Sequence, residues 1–176
     1  MPIFVHPTAI VEDGAVLGEG TKVWHWVHIR AEARVGEDCI LGKGVYVDSG
    51  ARVGSRVKLQ NNVNVYNGVT IEDEVFVGPN ATFTNDLHPR AVGPWEVVPT
   101  LIRRGASIGA GAVVVCGTEI GEYAMVAAGA GVTRSVPAHA LVVGVPARVV
   151  GRVCRCGRRA PLEGPPVCAE CLARGD

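Results

Sequence analysis

Apolar residues return at every sixth position along most of this chain. Val11, Leu17, Val23, Ile29, Val35, Leu41, Val47, Val53, Leu59, Val65, Ile71, Val77 and Phe83 share one phase. Four places after each stands a small or short residue, from Ala15, Thr21 and Val27 through Ala33 and Cys39 to Ala81. The beat resumes at Ile102, Ile108, Val114, Ile120, Val126 and Val132, with Ala106, Ala112, Thr118, Ala124 and Ala130 in the second position. A period of six fits neither an α-helix, at about 3.6, nor an alternating strand, at about 2. It is the mark of a parallel β-helix, in which each hexad is a short strand plus a turn and three hexads close one triangular coil. Successive coils stack at about 4.8 Å, the spacing of strands in a sheet. The large aliphatic fills a corner from inside. The fourth-following residue also points inward and must be small, because the bore is narrow. Gly18, Gly36, Gly42, Gly54 and Gly78 follow directly on their aliphatics, as tight turns require. A Val-rich sandwich would instead place turn signals at irregular spacings of about 8–12 residues.

Two segments depart from the beat. Residues 84–101 form no hexad and carry three prolines, Trp95 and a local cluster of Asn85, Asp86, His88 and Arg90. Long insertions inside a strict repeat are generally either functional or disordered, and in a solenoid they project from one face. Trp95 gives this one something to bury, which predicts order against a neighbouring subunit. Residues 134–153 close the column, whose uncapped end would be an open sheet edge. The β-helix is thus expected over 1–133 and the closing segment over 134–153.

Residues 154–176 differ in composition. They are basic and Pro-rich, and they hold four of the six cysteines as Cys154-x-Cys156 and Cys168-x-x-Cys171. Four thiolates in two close pairs suit a tetrahedral Zn²⁺. The segment is too short for a core of its own, so a metal would supply its folding energy. Two disulfides or free thiols are the alternatives, and a reducing compartment ranks zinc above disulfides. A four-cysteine shell leaves no open position, which makes the expected zinc structural. Cys39 sits at an inward small-residue position and is expected in the core.

The chain has 176 residues, a formal net charge of zero and a pI near 7.0. One domain is the expectation for that length. Neutrality argues against nucleic acid or an anionic membrane as a bulk electrostatic partner. No stretch approaches the roughly 18 apolar residues of a membrane span, and the start MPIFVHPTAI lacks the basic and apolar regions of an export signal. A cytoplasmic location follows as the expectation.

Several outward positions carry candidate chemistry. In VWHWVHIR (23–30), Trp24 and His25 occupy turn positions, and outward aromatics mark subunit contacts. His28 belongs either to that patch or to a substrate pocket. In LQNNVNVYNG (59–68), Asn61, Asn62 and Tyr66 stand among amides that make either a turn-tolerant Asn ladder or a hydrogen-bonding surface for a polyhydroxylated ligand. Arg103 and Arg104 are either solvated turn residues or a phosphate fork. Gly109-Ala110-Gly111-Ala112 and Ala127-Ala128-Gly129-Ala130 are either tight turns or an outer surface stripped of bulk, along which a long thin ligand can lie.

VWHWVHI at 23–29, LQNNVNVYNGVTIEDEVFVGP at 59–79, FTNDLHPRA at 83–91, TLIRRGASIGAGAVVVCG at 100–117 and ALVVGVPARVVGRVCRCG at 140–157 carry a resemblance that covers the whole chain. The chain resembles the hexapeptide-repeat, left-handed parallel β-helix N-acetyltransferases of nucleotide-linked 3-amino sugars. The left hand comes from this resemblance, since parallel crossovers in general favour the right hand. The pattern is nearest to enzymes acetylating UDP-2-acetamido-3-amino-2,3-dideoxyglucuronate, and the Cys tail leans the same way. Enzymes of dTDP-linked 3-amino-3,6-dideoxyhexoses share FTND and the NNV-V-Y run.

The resemblance implies acetyl-CoA as cosubstrate, a UDP- or dTDP-linked amino sugar as acceptor, and a product destined for surface polysaccharide. It implies a homotrimer with active sites between subunits, Asn85 on the sugar's 3-amino group, and direct attack of the amine on the thioester. Asp86 and His88 join Asn85 as catalytic candidates, His88 being the base if one is used. His28, Asn61, Asn62, Tyr66, Arg90, Arg103 and Arg104 are candidates for the nucleotide sugar. Gly111, Ala112, Gly129 and Ala130 are candidates for CoA, with the oxyanion donor a backbone N–H near Gly111 or Gly129. Two rivals share the fold. A γ-type carbonic anhydrase-like metalloenzyme holds zinc on three histidines at subunit interfaces; here His25 and His28 share a coil, but no close His pair follows. A non-catalytic scaffold has no need of the loop bearing Asn85.

Overall fold

The computed structural model describes residues 1–175; Asp176, the last residue of the expected tail, lies outside them. Strands of two or three residues recur every six positions from Phe4–Val5, Ile10–Val11, Val16–Leu17 and Lys22–Val23 onward. Three hexads close a coil, so each strand pairs in parallel with the one eighteen residues later. Phe4 faces Lys22, Lys22 faces Ile40, Ile40 faces Lys58 and Lys58 faces Phe76. Three flat sheets result. Sheet A has ten strands, the last two antiparallel; sheet B has seven and sheet C six.

The core is the column inside these sheets. Val23, Ile29, Val35, Leu41, Val47 and their successors are buried, and so are Ala33, Ala51, Ala81, Ala106 and Ala124 at the second position. Each coil packs on the next, so burial is continuous from Val23 to Val142, while the first coil is only partly covered. Cys39 is 0% exposed, directs its Sγ at the Gly54 carbonyl (3.0 Å), and has its thiol pKa pushed up by burial.

The three corners of the triangle differ. Just after each aliphatic, the C-to-A corner carries Gly18, Gly36 and Gly54, where neighbouring coils approach closely. A Cβ on Gly36 would lie 2.7 Å from the Gly54 carbonyl. The A-to-B corner carries Trp24, Gly42, Gln60, Gly78 and Gly109. The B-to-C corner carries Glu12, Arg30, Asp48, Tyr66 and Thr84, with no glycine. Two residues further on, each turn passes through the left-handed region, as at Gly14 (φ 89°), Asn62 (φ 61°) and Asn80 (φ 58°).

The repeat is interrupted once. Below the break the register is eighteen; across it Val69 faces Thr100, Phe76 faces Ser107 and Thr82 faces Val113, a step of thirty-one. Thirteen extra residues therefore leave and re-enter at the B-to-C corner. The loop ends earlier than its sequence suggests, because the strand Thr100–Ile102 already begins at Thr100. Thr100 takes the inward place of Val69 in the coil below, and its polar side chain hides that role from an apolar pattern. Its hydroxyl is buried without a partner among the described residues. Val98 N–H donates to the Asn85 carbonyl (2.8 Å) and closes the loop. Gly68 makes room for Val97, which would collide with any side chain there. Leu87, Val92 and Trp95 stay 48%, 90% and 58% exposed on their own chain.

At the far end Ala140–Val143 adds to sheet A in parallel beside Met125–Val126. The chain then reverses, and Arg148–Val153 and Arg159–Ala160 extend the sheet antiparallel. A short helix, Ala169–Arg174, follows the second cysteine pair. No helix among the described residues is long and apolar enough to cross a membrane.

The two kinds of glycine predict different costs. Gly36→Ala should destabilise by about 1–3 kcal/mol, because stacked coils must part. Gly14→Asn meets open space and a conformation asparagine tolerates, so it should cost under about 0.5 kcal/mol. Unfolding at matched protein concentration compares them.

Candidate active site

The polar corner builds a connected ridge. Glu12 accepts from Ala31 N–H (2.9 Å) and pairs with Arg30 Nε (3.0 Å). It draws the His28 ring onto itself, Nε2 to Oε1, at 2.7 Å. The Ala31 N–H, the His28 contact and Arg30 together hold the Glu12 carboxyl down at about 2. A carboxylate can only accept, so His28 Nε2 is the donor in this contact. Arg30 also donates to the Tyr46 hydroxyl (3.2 Å), which donates to Asp48 Oδ1 (2.9 Å). Asp48 accepts from Asn67 N–H one coil further on (3.3 Å). Burial pushes the Tyr46 hydroxyl's pKa up, and Asp48 adds to it. The Tyr46 ring meets His28 edge-on at 5.6 Å and Tyr66 at 6.0 Å.

The loop stands at the head of this ridge. Thr84 stacks over Tyr66, and Asn85 follows it. The Asn85 side-chain amide makes no hydrogen bond among the described residues and is only half-buried. Asp86 accepts from the His88 N–H (2.7 Å), which ties those two residues into one turn. Arg90 folds onto the Pro89 carbonyl (2.8 Å) and is exposed.

The remaining candidates lie on other edges. Asn61 and Asn62 belong to the A-to-B corner, apart from Tyr66. Asn61 Oδ1 accepts from Lys43 N–H (3.0 Å), and Asn62 Nδ2 donates to Asn80 Oδ1 (3.2 Å), a ladder between coils. Higher on the same corner, Gly111 and Gly129 face open space. Ala112 and Ala130, which the sequence groups with them, turn into the bore at 0% and 1% exposure and offer a ligand no surface. Beside these glycines an apolar groove of about 310 Å³ runs over sheet A, lined by Phe76, Gly109, Met125, Ala127, Ala128 and Leu141.

Arg103 and Arg104 occupy the third corner. Arg103 donates to Glu119 (2.9 Å) and Glu72 (3.1 Å), and Arg104 to Glu74 (2.9 Å). Within one chain they do not meet the Asn85 loop. His25 stacks on His6 (3.5 Å) at the A-to-B corner, so it and His28 serve different surfaces. Sequence reasoning passed over Glu12, Arg30, Tyr46 and Asp48. The available signal was an eighteen-residue spacing: Glu12, Arg30 and Asp48 run in one series with 66 and 84, and Tyr46 lies eighteen after His28.

In the tail, the Sγ atoms of Cys154, Cys156, Cys168 and Cys171 all lie within 4.8 Å of one another. All six cysteines are free thiols. The Arg158 backbone and the Cys168 thiol hold Cys156 well below the usual thiol range. The four sulfurs have the number, closeness and softness for a tetrahedral zinc site.

The match to known proteins follows this anatomy. The bacterial transferase hexapeptide model (six repeats) covers residues 14–49, 50–85 and 99–134, and skips the thirteen residues by which the register jumps. The hexapeptide repeat of succinyl-transferase matches 32–67. This chain belongs to the bacterial hexapeptide-repeat transferase family. It is 48% identical over 154 residues, 87% of this chain and 80% of the relative, to the dTDP-3-amino-3,6-dideoxy-alpha-D-galactopyranose 3-N-acetyltransferase of Aneurinibacillus thermoaerophilus. It is 45% identical over 62 residues, 35% of this chain and 27% of the relative, to a 2,3,4,5-tetrahydropyridine-2,6-dicarboxylate N-acetyltransferase of Enterococcus faecalis. Among solved structures it resembles PerB from Caulobacter crescentus in complex with CoA and GDP-perosamine, with TM-score 0.51 and 28% identity. That likeness covers 86% of this chain, which spans 58% of the PerB chain.

The ridge carries a pH signature. Glu12 titrates near 2 folded against 4.5 ordinarily, so its stabilisation is complete above about pH 4.5 and fades as pH falls toward 2. Glu74, also held at about 2 by Arg104 and Arg56, adds to the same window. Glu12→Gln should flatten, without abolishing, the loss of stability across that range in denaturation series at stepped pH.

Proposed function

We propose that this protein is an acetyl-CoA-dependent N-acetyltransferase acting on the 3-amino group of a nucleotide-linked amino sugar. One observation carries the reading. Asn85, its side-chain amide unengaged, heads the polar ridge in a chain 48% identical to a 3-amino-sugar N-acetyltransferase. A scaffold has no use for such a loop.

The acceptor lies along the B-to-C ridge, its 3-amino group on Asn85 and the rest of the nucleotide sugar toward Tyr66, Tyr46 and His28. From Thr84 to Glu12 the ridge climbs four coils, about 19 Å at sheet spacing, a span that suits a nucleoside diphosphate sugar. Asp86 fixes the loop turn through His88. Acetyl-CoA lies along the small-residue corner at Gly111 and Gly129 and in the neighbouring apolar groove. A second copy of the chain brings one edge against the other, in a homotrimer whose loop covers Leu87, Val92 and Trp95 at the contact.

The chemistry needs little beyond alignment. The neutral amine nitrogen attacks the thioester carbonyl, a backbone N–H near Gly111 or Gly129 holds the oxyanion, and the C–S bond breaks. The departing CoA thiolate takes the proton from nitrogen. A thiolate is a good leaving group, so positioning supplies most of the acceleration. His28 Nδ1 lies about three coils below Thr82, roughly 14 Å away, which suits the nucleotide end rather than the amine. The four tail cysteines hold a structural zinc.

Thiol release from acetyl-CoA, measured on a panel of UDP- and dTDP-linked 3-amino sugars, tests the reading. Turnover on one of them should fall about 100-fold or more in kcat/KM for Asn85→Ala. Release that survives the substitution removes Asn85 from the site, and no release on any sugar removes the activity.

A further inference from the structure

We infer that the four-cysteine site is a metal clasp that holds one wall of the groove for acetyl-CoA, so that the tail governs affinity for the acyl donor. The inference rests on the reading of the groove given above.

The tail has almost no apolar core. Among its described residues only Cys154, Cys168 and Cys171 are buried together, with Ala160 and Val167 packed beside them. A helix of six residues and a strand of two cannot hold themselves in place. A metal joining four sulfurs can, since it ties Cys154 and Cys156, at the end of the hairpin, to Cys168 and Cys171 beyond it.

That junction bears on the β-helix at defined points. Cys154 directly follows the strand Arg148–Val153, which pairs with Ala140–Val143 through Arg152 opposite Ala140 and Gly151 opposite Leu141. His139 clamps the end of the same strand. Its carbonyl accepts from Val153 N–H (2.8 Å), and its Nδ1 meets the Val153 carbonyl (3.0 Å). Arg155, between the first two cysteines, lies over the Tyr123 ring at 5.2 Å, and Tyr123 stacks on His139 at 5.4 Å. Gly157 closes the knuckle by donating to the Cys154 carbonyl (2.9 Å), and a Cβ placed on it would sit 3.4 Å from Met125 Cε. Met125 and Leu141 face each other across neighbouring strands and are two of the groove's large apolar walls. The knuckle thus sits on Met125, and the strand it anchors is hydrogen-bonded to the strand of Leu141. A groove whose other side is Gly109, Ala127 and Ala128 takes its width from Phe76 and from those two side chains.

The experiment uses the full-length protein and reads acetyl-CoA binding by calorimetry, which needs no amino sugar. Purified protein should hold one zinc per chain. Stripping it with a chelator should weaken acetyl-CoA by about tenfold or more while the β-sheet circular dichroism persists, and added zinc should restore both metal and affinity. Met125→Ala in the zinc-loaded protein should weaken acetyl-CoA similarly without loss of metal, and this variant tests the groove wall even if the stripped protein unfolds. Protein that binds no metal, or binds acetyl-CoA equally with and without it, overturns the clasp. An unchanged affinity in Met125→Ala overturns the groove wall. Failure of the loaded wild type to bind acetyl-CoA at all instead overturns the donor-site reading beneath it.

Discussion

The whole molecule depends on one contact, the seating of each coil on the coil eighteen residues before it. Every strand is too short to stand alone, so its hydrogen bonds and its burial come from the coils above and below. The contact demands large aliphatics at the corners, small residues between them, and closely approaching backbone at Gly18, Gly36 and Gly54. A column built this way has no single nucleus of packing. Its stability is a sum of similar interfaces, weakest at the ends, where the hairpin and tail of sheet A stand in for a further coil.

The same contact also sorts chemistry from structure. Where neighbouring coils press closest, as at Gly18, Gly36 and Gly54, the first turn position offers no side chain for other purposes. The B-to-C corner escapes that demand, and there five successive coils carry Glu12, Arg30, Asp48, Tyr66 and Thr84. Stacking at strand spacing puts these side chains within reach of one another. With Tyr46 from the adjoining strand, Glu12, Arg30 and Asp48 form the carboxylate–guanidinium–phenol chain at whose head the loop with Asn85 is mounted. The A-to-B corner takes a third course higher up, where Gly111 and Gly129 leave the backbone bare to solvent.

The fold was legible in the sequence because its period is short and nearly every hexad obeys it. The candidate site was legible only in part, because its period is three times longer. A ruler of six lays Asn61, Asn62 and Tyr66 side by side, whereas the triangle puts the two asparagines on one edge and the tyrosine on another. It groups Ala112 with Gly111, although one faces the bore and the other the solvent. Arg103 and Arg104 read as free cations until Glu72, Glu74 and Glu119 are brought beside them from other coils. The cysteine cluster was legible for the opposite reason: its four thiols stand as two close pairs in the sequence, and they converge to within 4.8 Å of one another. Thr100 was missed because a hydroxyl occupies a place the pattern reserves for an aliphatic.

The loop leaves the helix and returns to it at the same corner, and the coil above resumes in the same phase. The column therefore does not sense the length of the excursion, and it meets its contents only at the stem, where Val97 lies on Gly68. Mechanical continuity and chemical choice are inherited separately in such a molecule. The segment that presents Asn85 can be lengthened, shortened or exchanged between relatives while the bore is passed on unaltered, and a single scaffold can be readdressed to new acceptors one corner at a time.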